Sequence, residues 1–228
     1  MRIERSALMS QLRLWQLVSP ALPVGAYSYS QGMETAVENG WVKTEQCVLH
    51  WIKGQLRHML GALDLPVLLR MHKAWVDGDM RALDYWNSWL LAAREASELH
   101  AEDCQMGGSL KKLLPELGIP RARDWPAEDK CSFALMFALA AAEWEIPGTD
   151  AAAGYAWAWC ENQVAAAIKL IPLGQTAGQR TLLALADAIP EVAGSASRLQ
   201  DEDIGQMSPA FAVACALHET QYTRLFRS

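Results

Sequence analysis

An all-α fold follows from three features of this sequence. Apolar residues recur at three- and four-residue spacings along nearly its whole length, as on amphipathic helices. Alternating runs rich in β-branched residues are scarce, and no Asn-Gly or Asp-Gly turn joins two such runs. Serine, threonine and aspartate open the periodic stretches, and glycine or proline closes them. Together they predict one globular all-α domain over residues 1–228, with about eight to ten packed helices and a partly flexible C-terminal tail at 219–228.

Ser6 is placed to cap a first helix carrying Leu8, Leu12, Trp15 and Leu17 on or near one face, with Pro20 and Pro23 ending it. A loop of small residues and two tyrosines, 19–30, leads to a short helix that stops at Gly40. Thr44 opens a longer helix through Val48, Trp51, Ile52, Leu56 and Met59 to about Gly61. Asp64 is read as the cap of the next, with Pro66 in its first turn and an end near Asp77-Gly78. Two helices fill 80–118, with a break near Met106-Gly107-Gly108. The segment 118–127, with Arg121, Arg123 and Trp125, is a polar loop and the best internal boundary, but composition does not shift across it. The stretch 128–145 is so apolar that it belongs at the centre of the fold, and Pro147 closes it. An Ala-rich buried helix at 149–170 follows, then 174–189, a weaker 190–199, the acidic turn Asp201-Glu202-Asp203, and a last helix at 208–219.

Composition narrows the function. Ten tryptophans indicate a large core, extensive contact surfaces or both, since each carries much apolar area and one donor that needs a partner. A net charge of −6 with scattered basic residues argues against a nucleic-acid binder, which presents a basic footprint. The longest apolar run, 133–142, is too short to cross a bilayer, and the N-terminus has no signal-peptide core. Five dispersed cysteines without a CxxC pair read as reduced thiols. The expectation is a cytoplasmic protein that binds neither membrane nor nucleic acid.

No catalytic motif stands out. GxxxxGK[ST], HExxH and GxSxG are all missing. Gly174 and Gly178 have the spacing that lets two helices approach closely, which is a packing role. Three pairs have metal-compatible helical spacing: His100 with Cys104, Cys47 with His50, and Cys215 with His218. Two ligands do not make a site, and buried cysteine is an ordinary small apolar residue. Neither metal nor cofactor is therefore assigned. Glu143 and Glu145, two apart on a helix end, point in different directions and read as solvated. The tail sets Tyr222, Leu225 and Phe226 among Arg224 and Arg227. Those residue types anchor interfaces, so it reads either as a docking segment or as a tail folded back on its own core.

Three segments carry a resemblance to a known family. The runs SPALPVGAYSYSQGME (19–34), ENQVAAAIKLIPLGQTAGQR (161–180) and HETQYTRLFRS (218–228) resemble, in the family's order, the signatures of the urease accessory protein UreF. Ala26-Tyr27 stands where many members have Gly-Phe, which keeps the aromatic character. The resemblance implies an all-helical homodimeric adaptor without catalytic activity. It would bind UreD (UreH in some systems) on one side and the GTPase UreG on the other, docked on apo-urease, with GTP hydrolysis coupled to nickel delivery. Carried over by position, Glu34 and Lys169, with Gln175 and Arg180, are the expected UreG-side contacts. Tyr222, Arg224, Leu225, Phe226 and Arg227 are the expected UreD-side contacts. Lys169 also suits the negative end of its helix, worth ~0.3–1 kcal/mol when exposed. Arg180 invites an arginine-finger role at the UreG nucleotide. The alternative is an all-helical small-molecule enzyme, which would need Cys and His to converge in a pocket.

Overall fold

Helix dominates the computed structural model, which describes residues 2–205 and 208–228, with side chains from Ala7 onward. Among the described residues there is no strand. Those residues form eleven α-helical segments, two of them merged into one rod, in keeping with the expected eight to ten.

Helix α1 (Arg2–Leu17) begins at Arg2, so Ser6 lies inside it and is not its N-cap. Its expected face divides: Leu17 is buried, whereas Leu8, Leu12 and Trp15 are exposed. The reason is the crossing point. Leu14 and Val18 pack on Gly154 of α8 (Gly148–Leu170), where a Cβ would lie 2.6 Å from Leu14, and the earlier turns project outward.

Helix α2 (Met33–Glu38) ends before Gly40, whose φ of 73° is the expected left-handed stop. Helix α3 (Glu45–Gln55) opens on Thr44, whose hydroxyl accepts the Cys47 N–H. Beyond it the sequence reading fails. A π-helical segment (Leu56–Asp64) joins α3 directly to α4 (Leu65–Asp77), so Gly61 ends nothing and Asp64 caps nothing. Gly61 instead admits α10 (Ile189–Ala196): a Cβ there would meet Val192 at 2.6 Å. The Asp64 carboxylate is drawn off its own backbone to Arg94.

Asp79 caps α5 (Met80–Ala92) by accepting the Arg81 and Ala82 N–H groups. Helix α6 (Ser97–Leu113) runs unbroken through the expected break. Gly107 serves a close crossing, since a Cβ would stand 2.1 Å from the Cys131 carbonyl. The loop 118–127 contains a 3-10 turn (Pro120–Asp124) and buries Trp125, so it is tied into the core and divides nothing. Helix α7 (Phe133–Glu143) starts later than expected, where the Ser132 hydroxyl accepts the Leu135 N–H. Its residues 134–141 are all buried, and each large side chain contributes about 1.5–3 kcal/mol of burial. Helices α4, α6 and α8 surround it. Helix α9 (Gln175–Ala186) packs on α8 through Gly178, where a Cβ would meet Ile168 at 2.5 Å, while a Cβ at Gly174 would meet nothing. Helix α11 (Pro209–His218) follows, and one contiguous apolar core extends from Leu17 to Cys215.

Candidate functional site

The loop after α1 and the C-terminal tail, nearly two hundred residues apart, form one site. The chain enters it through two left-handed residues, Gln31 (φ 49°) and Gly32 (φ 75°). Gly32 is required, because a Cβ there would press within 3.1 Å of the α11 backbone at Cys215. Gln31 pays for its backbone strain with its side chain. Its Nε2 donates to Glu102 at 2.7 Å, and its Oε1 accepts from Trp159 Nε1 at 2.6 Å.

The tail closes on this loop mainly through backbone groups. Ser228 O accepts the Ser30 N–H at 2.7 Å, the Gln31 N–H at 3.0 Å and the Ser30 hydroxyl at 2.7 Å. The Arg227 N–H donates to Ser28 O at 2.9 Å. Glu34, in the first turn of α2, accepts the N–H groups of Leu225 and Phe226 at 2.7 and 3.0 Å. Its Oε2 also lies 3.3 Å from His218 Nε2, while His218 Nδ1 lies 2.6 Å from Glu98 Oε2. Glu98 accepts from the Arg224 guanidinium as well. Glu102 takes the Ser228 hydroxyl at 2.7 Å, and burial pushes its carboxyl up to about 7.

The tail is thus divided by side chain. Phe226 is 6% exposed, with the Lys169 ammonium 5.4 Å above its ring. Leu225 at 65% and Tyr222 at 103% are exposed. The tail therefore folds back on the chain through its backbone and Phe226, while two of its apolar side chains face outward.

Residues expected on opposite partner faces meet here. Glu34 and Lys169 contact Leu225 and Phe226 of the tail. Arg180 is elsewhere, exposed on α9, with its guanidinium held by Glu45 at 3.0 and 2.6 Å. That contact keeps the Glu45 carboxyl below its usual range. Gln175 is exposed as the first residue of α9. Asn162, in the run 161–180, donates to Tyr29 O at 3.0 Å, so α8 fastens the loop from the other side.

Sequence reasoning missed Ser30, Glu98 and Glu102. A signal existed for Glu102, which shares a helical face with Leu99, Met106 and Leu110, all buried. A second buried polar group was also missed. Arg94 reaches Asp64 at 2.5 Å and Asp103 at 2.9 Å. Asp103 accepts the Phe133 N–H at 2.6 Å, at the start of α7. Burial pushes the Asp64 carboxyl up, against the pull of Arg94. A cavity of about 180 Å³ separates this group from the loop; Asp64, Arg94, Glu102 and Tyr155 line it beside apolar side chains, with no Cys or His in its wall.

None of the three metal-spaced pairs is completed by a further ligand among the described residues. Cys104 Sγ is 3.9 Å from His100 Nδ1. Cys47 takes the Thr44 hydroxyl at 3.2 Å. Cys215 is buried, its thiol pushed up by that burial, while His218 faces two carboxylates. No group of three or more His, Cys, Asp or Glu among the described residues is arranged to hold a metal.

Comparison with known proteins adds two findings. The UreF family model matches residues 42–186. Over its full length the chain is 50% identical to the urease accessory protein UreF of Alkalilimnicola ehrlichii, with both chains wholly covered. It is 46% identical over 220 residues to that of Hahella chejuensis (96% of this chain, 99% of the other) and 49% over 217 residues to that of Teredinibacter turnerae (95% and 98%).

Proposed function

We propose, from the premise that this chain belongs to the UreF family of urease accessory proteins, that it is an adaptor joining UreD to the GTPase UreG on apo-urease. In this reading it works as a homodimer in the cytoplasm and performs no bond chemistry of its own. GTP hydrolysis by UreG drives delivery of nickel, which is cargo. The relatives' names support the accessory role in urease maturation. The absence of any membrane-spanning helix among the described residues fits a protein working in water.

One observation carries the bridging role: the tail anchors itself by backbone and Phe226 while leaving Tyr222 and Leu225 outward. An anchored segment with free aromatic and aliphatic side chains loses little entropy when a partner covers it. UreD is the partner assigned to this face. UreG is assigned to the side that includes Lys169, Gln175 and Arg180. Glu34 is 8% exposed with both oxygens engaged, so it acts here as a positioning residue that holds the tail. Through it, and through Lys169 on Phe226, engagement of one partner would be felt at the other. The exposed row Leu8, Leu12 and Trp15 on α1 supplies apolar surface for self-association.

The test is co-purification of UreD with the full chain and with a chain ending at Glu219. The full chain should retain UreD and the shortened one should lose it, while both unfold cooperatively. Equal recovery would remove the tail from the UreD interface. The enzyme alternative needed Cys and His converging in a pocket; the cavity beside Arg94 has neither in its wall, and the more open pocket that Cys47 and His50 line beside Trp41 brings no third His, Cys, Asp or Glu to them among the described residues.

A further inference from the structure

The cavity between the Arg94 cluster and the loop has a wall that is at once aromatic and acidic. Its volume is about 180 Å³, and five aromatic side chains line it, Tyr27, Phe133, Tyr155, Trp159 and Phe211. Four carboxyl groups, Asp64, Glu102, Asp103 and Glu161, face one guanidinium, that of Arg94. Arg94 is already engaged by Asp64 at 2.5 Å and Asp103 at 2.9 Å, so it is poorly placed to take an anion. Burial pushes the Glu102 carboxyl up to about 7, yet with Glu102 neutral the carboxylates still outnumber the guanidinium.

Tyr155 supplies a second, independent observation. It is 8% exposed, its ring packs edge-on against Phe137 at 5.2 Å, and it forms part of the cavity wall. Burial and then the Asp64 and Asp103 carboxylates push its hydroxyl well above the usual range, so it stays protonated. No described residue hydrogen-bonds that hydroxyl, so only an occupant of the cavity can do so. The occupant must also suit an excess of negative charge and aromatic rings, whose faces attract cations. Asp64, Glu102 and Asp103 are not arranged to hold a metal ion. An organic cation with an apolar body meets each condition. The space suffices, since an apolar cavity of about 150 Å³ takes a benzene ring.

We propose that this cavity is a binding site for a small organic ammonium ion, its charged end beside Tyr155 and the Asp64–Asp103 pair and its apolar body against the aromatic and aliphatic wall. The mouth lies on the loop after α1, where Pro20 and Tyr27 line the cavity and are exposed. The ammonium group loses its hydration on entry, and charge-assisted hydrogen bonds to carboxylate oxygens and the Tyr155 oxygen replace it. A neutral molecule of the same shape lacks that charge, and an anion is repelled. The inference goes beyond the adaptor reading and does not depend on it.

The experiment titrates the full chain without partners, at neutral pH, with benzylammonium, benzyl alcohol and benzoate. Calorimetry gives affinity and stoichiometry, and the side-chain NMR signals of Tyr155 and Trp159 report the place. Benzylammonium should saturate at one per chain, shift both signals and bind about tenfold more tightly than benzyl alcohol. Benzoate should not bind. Tyr155→Phe removes a hydroxyl that no described residue bonds, so the chain should stay folded while benzylammonium binds about threefold or more weakly. Ala158→Phe, on the stretch of α8 that lines the cavity, should fill the space and abolish binding. No saturation by benzylammonium, equal affinity for benzyl alcohol or benzoate, or undiminished binding to Tyr155→Phe overturns the proposal, whether or not Ala158→Phe folds. Because no UreD is present, these outcomes stand apart from success or failure of the co-purification test.

Discussion

The molecule contains two ionic clusters of similar composition and unlike architecture, one buried and one reaching the surface at Arg224. In one, Arg94 is clamped by Asp64 and Asp103, and every member sits on or beside a helix of the core. In the other, Glu34 and Glu98 hold His218 at the end of α11 together with Arg224 and two N–H groups of a tail that has no helix of its own. The first joins the π segment, α6 and the start of α7, so opening it means opening the core. The second joins a loop to a tail whose release would leave the core packing in place. Similar ionic chemistry thus serves permanence in one place and detachability in the other, according to what is tethered.

Breaking that contrast is straightforward. Arg94→Ala removes the counter-charge of two buried carboxylates and should cost about 3–5 kcal/mol in urea unfolding. UreD and UreG retention should fall along with it. Glu34→Gln keeps the side-chain shape but weakens the bonds to the tail and His218. It should cost about 1–3 kcal/mol at most, release tail amides to exchange, and reduce UreD recovery while the chain remains folded. If Glu34→Gln unfolds the chain as deeply as Arg94→Ala, the distinction between the clusters fails. Phe226→Ala removes the ring under Lys169 and should loosen the tail with little change in the global unfolding midpoint. Arg180→Ala touches neither cluster and should leave unfolding unchanged. Its informative readout is UreG turnover in an assembled complex, where a drop supports the arginine-finger role and unchanged turnover eliminates it.

How much of this was legible can be followed at particular residues. Gly40, Gly78 and the Thr44 cap were readable because each signal acts within one turn of chain. Gly61, Asp64 and the Gly107-Gly108 pair carry equally good local stop signals, yet the helices run through them. At Gly61 a neighbouring helix, at Gly107 the backbone before α7, and at Asp64 the Arg94 guanidinium gave the residue another use. The tail's chemical character was legible from Tyr222, Leu225 and Phe226, but which of them would face inward was not. The grouping of Glu34 with Arg180 also came from likeness alone, and the structure gives the two residues different neighbours.

The sequence by itself determined the helical class, the centrality of α7, the lack of familiar catalytic motifs and the three runs that mark the family. Those are matters of period, composition and short-range order, which the chain carries locally. Only the tertiary structure decided that Glu34 meets Leu225, 191 residues later, that Asp64 serves Arg94 and not its own helix, and that His218 has a carboxylate on each side. A buried polar group takes whichever partner desolvation leaves within reach, and that choice exists only once distant elements have packed.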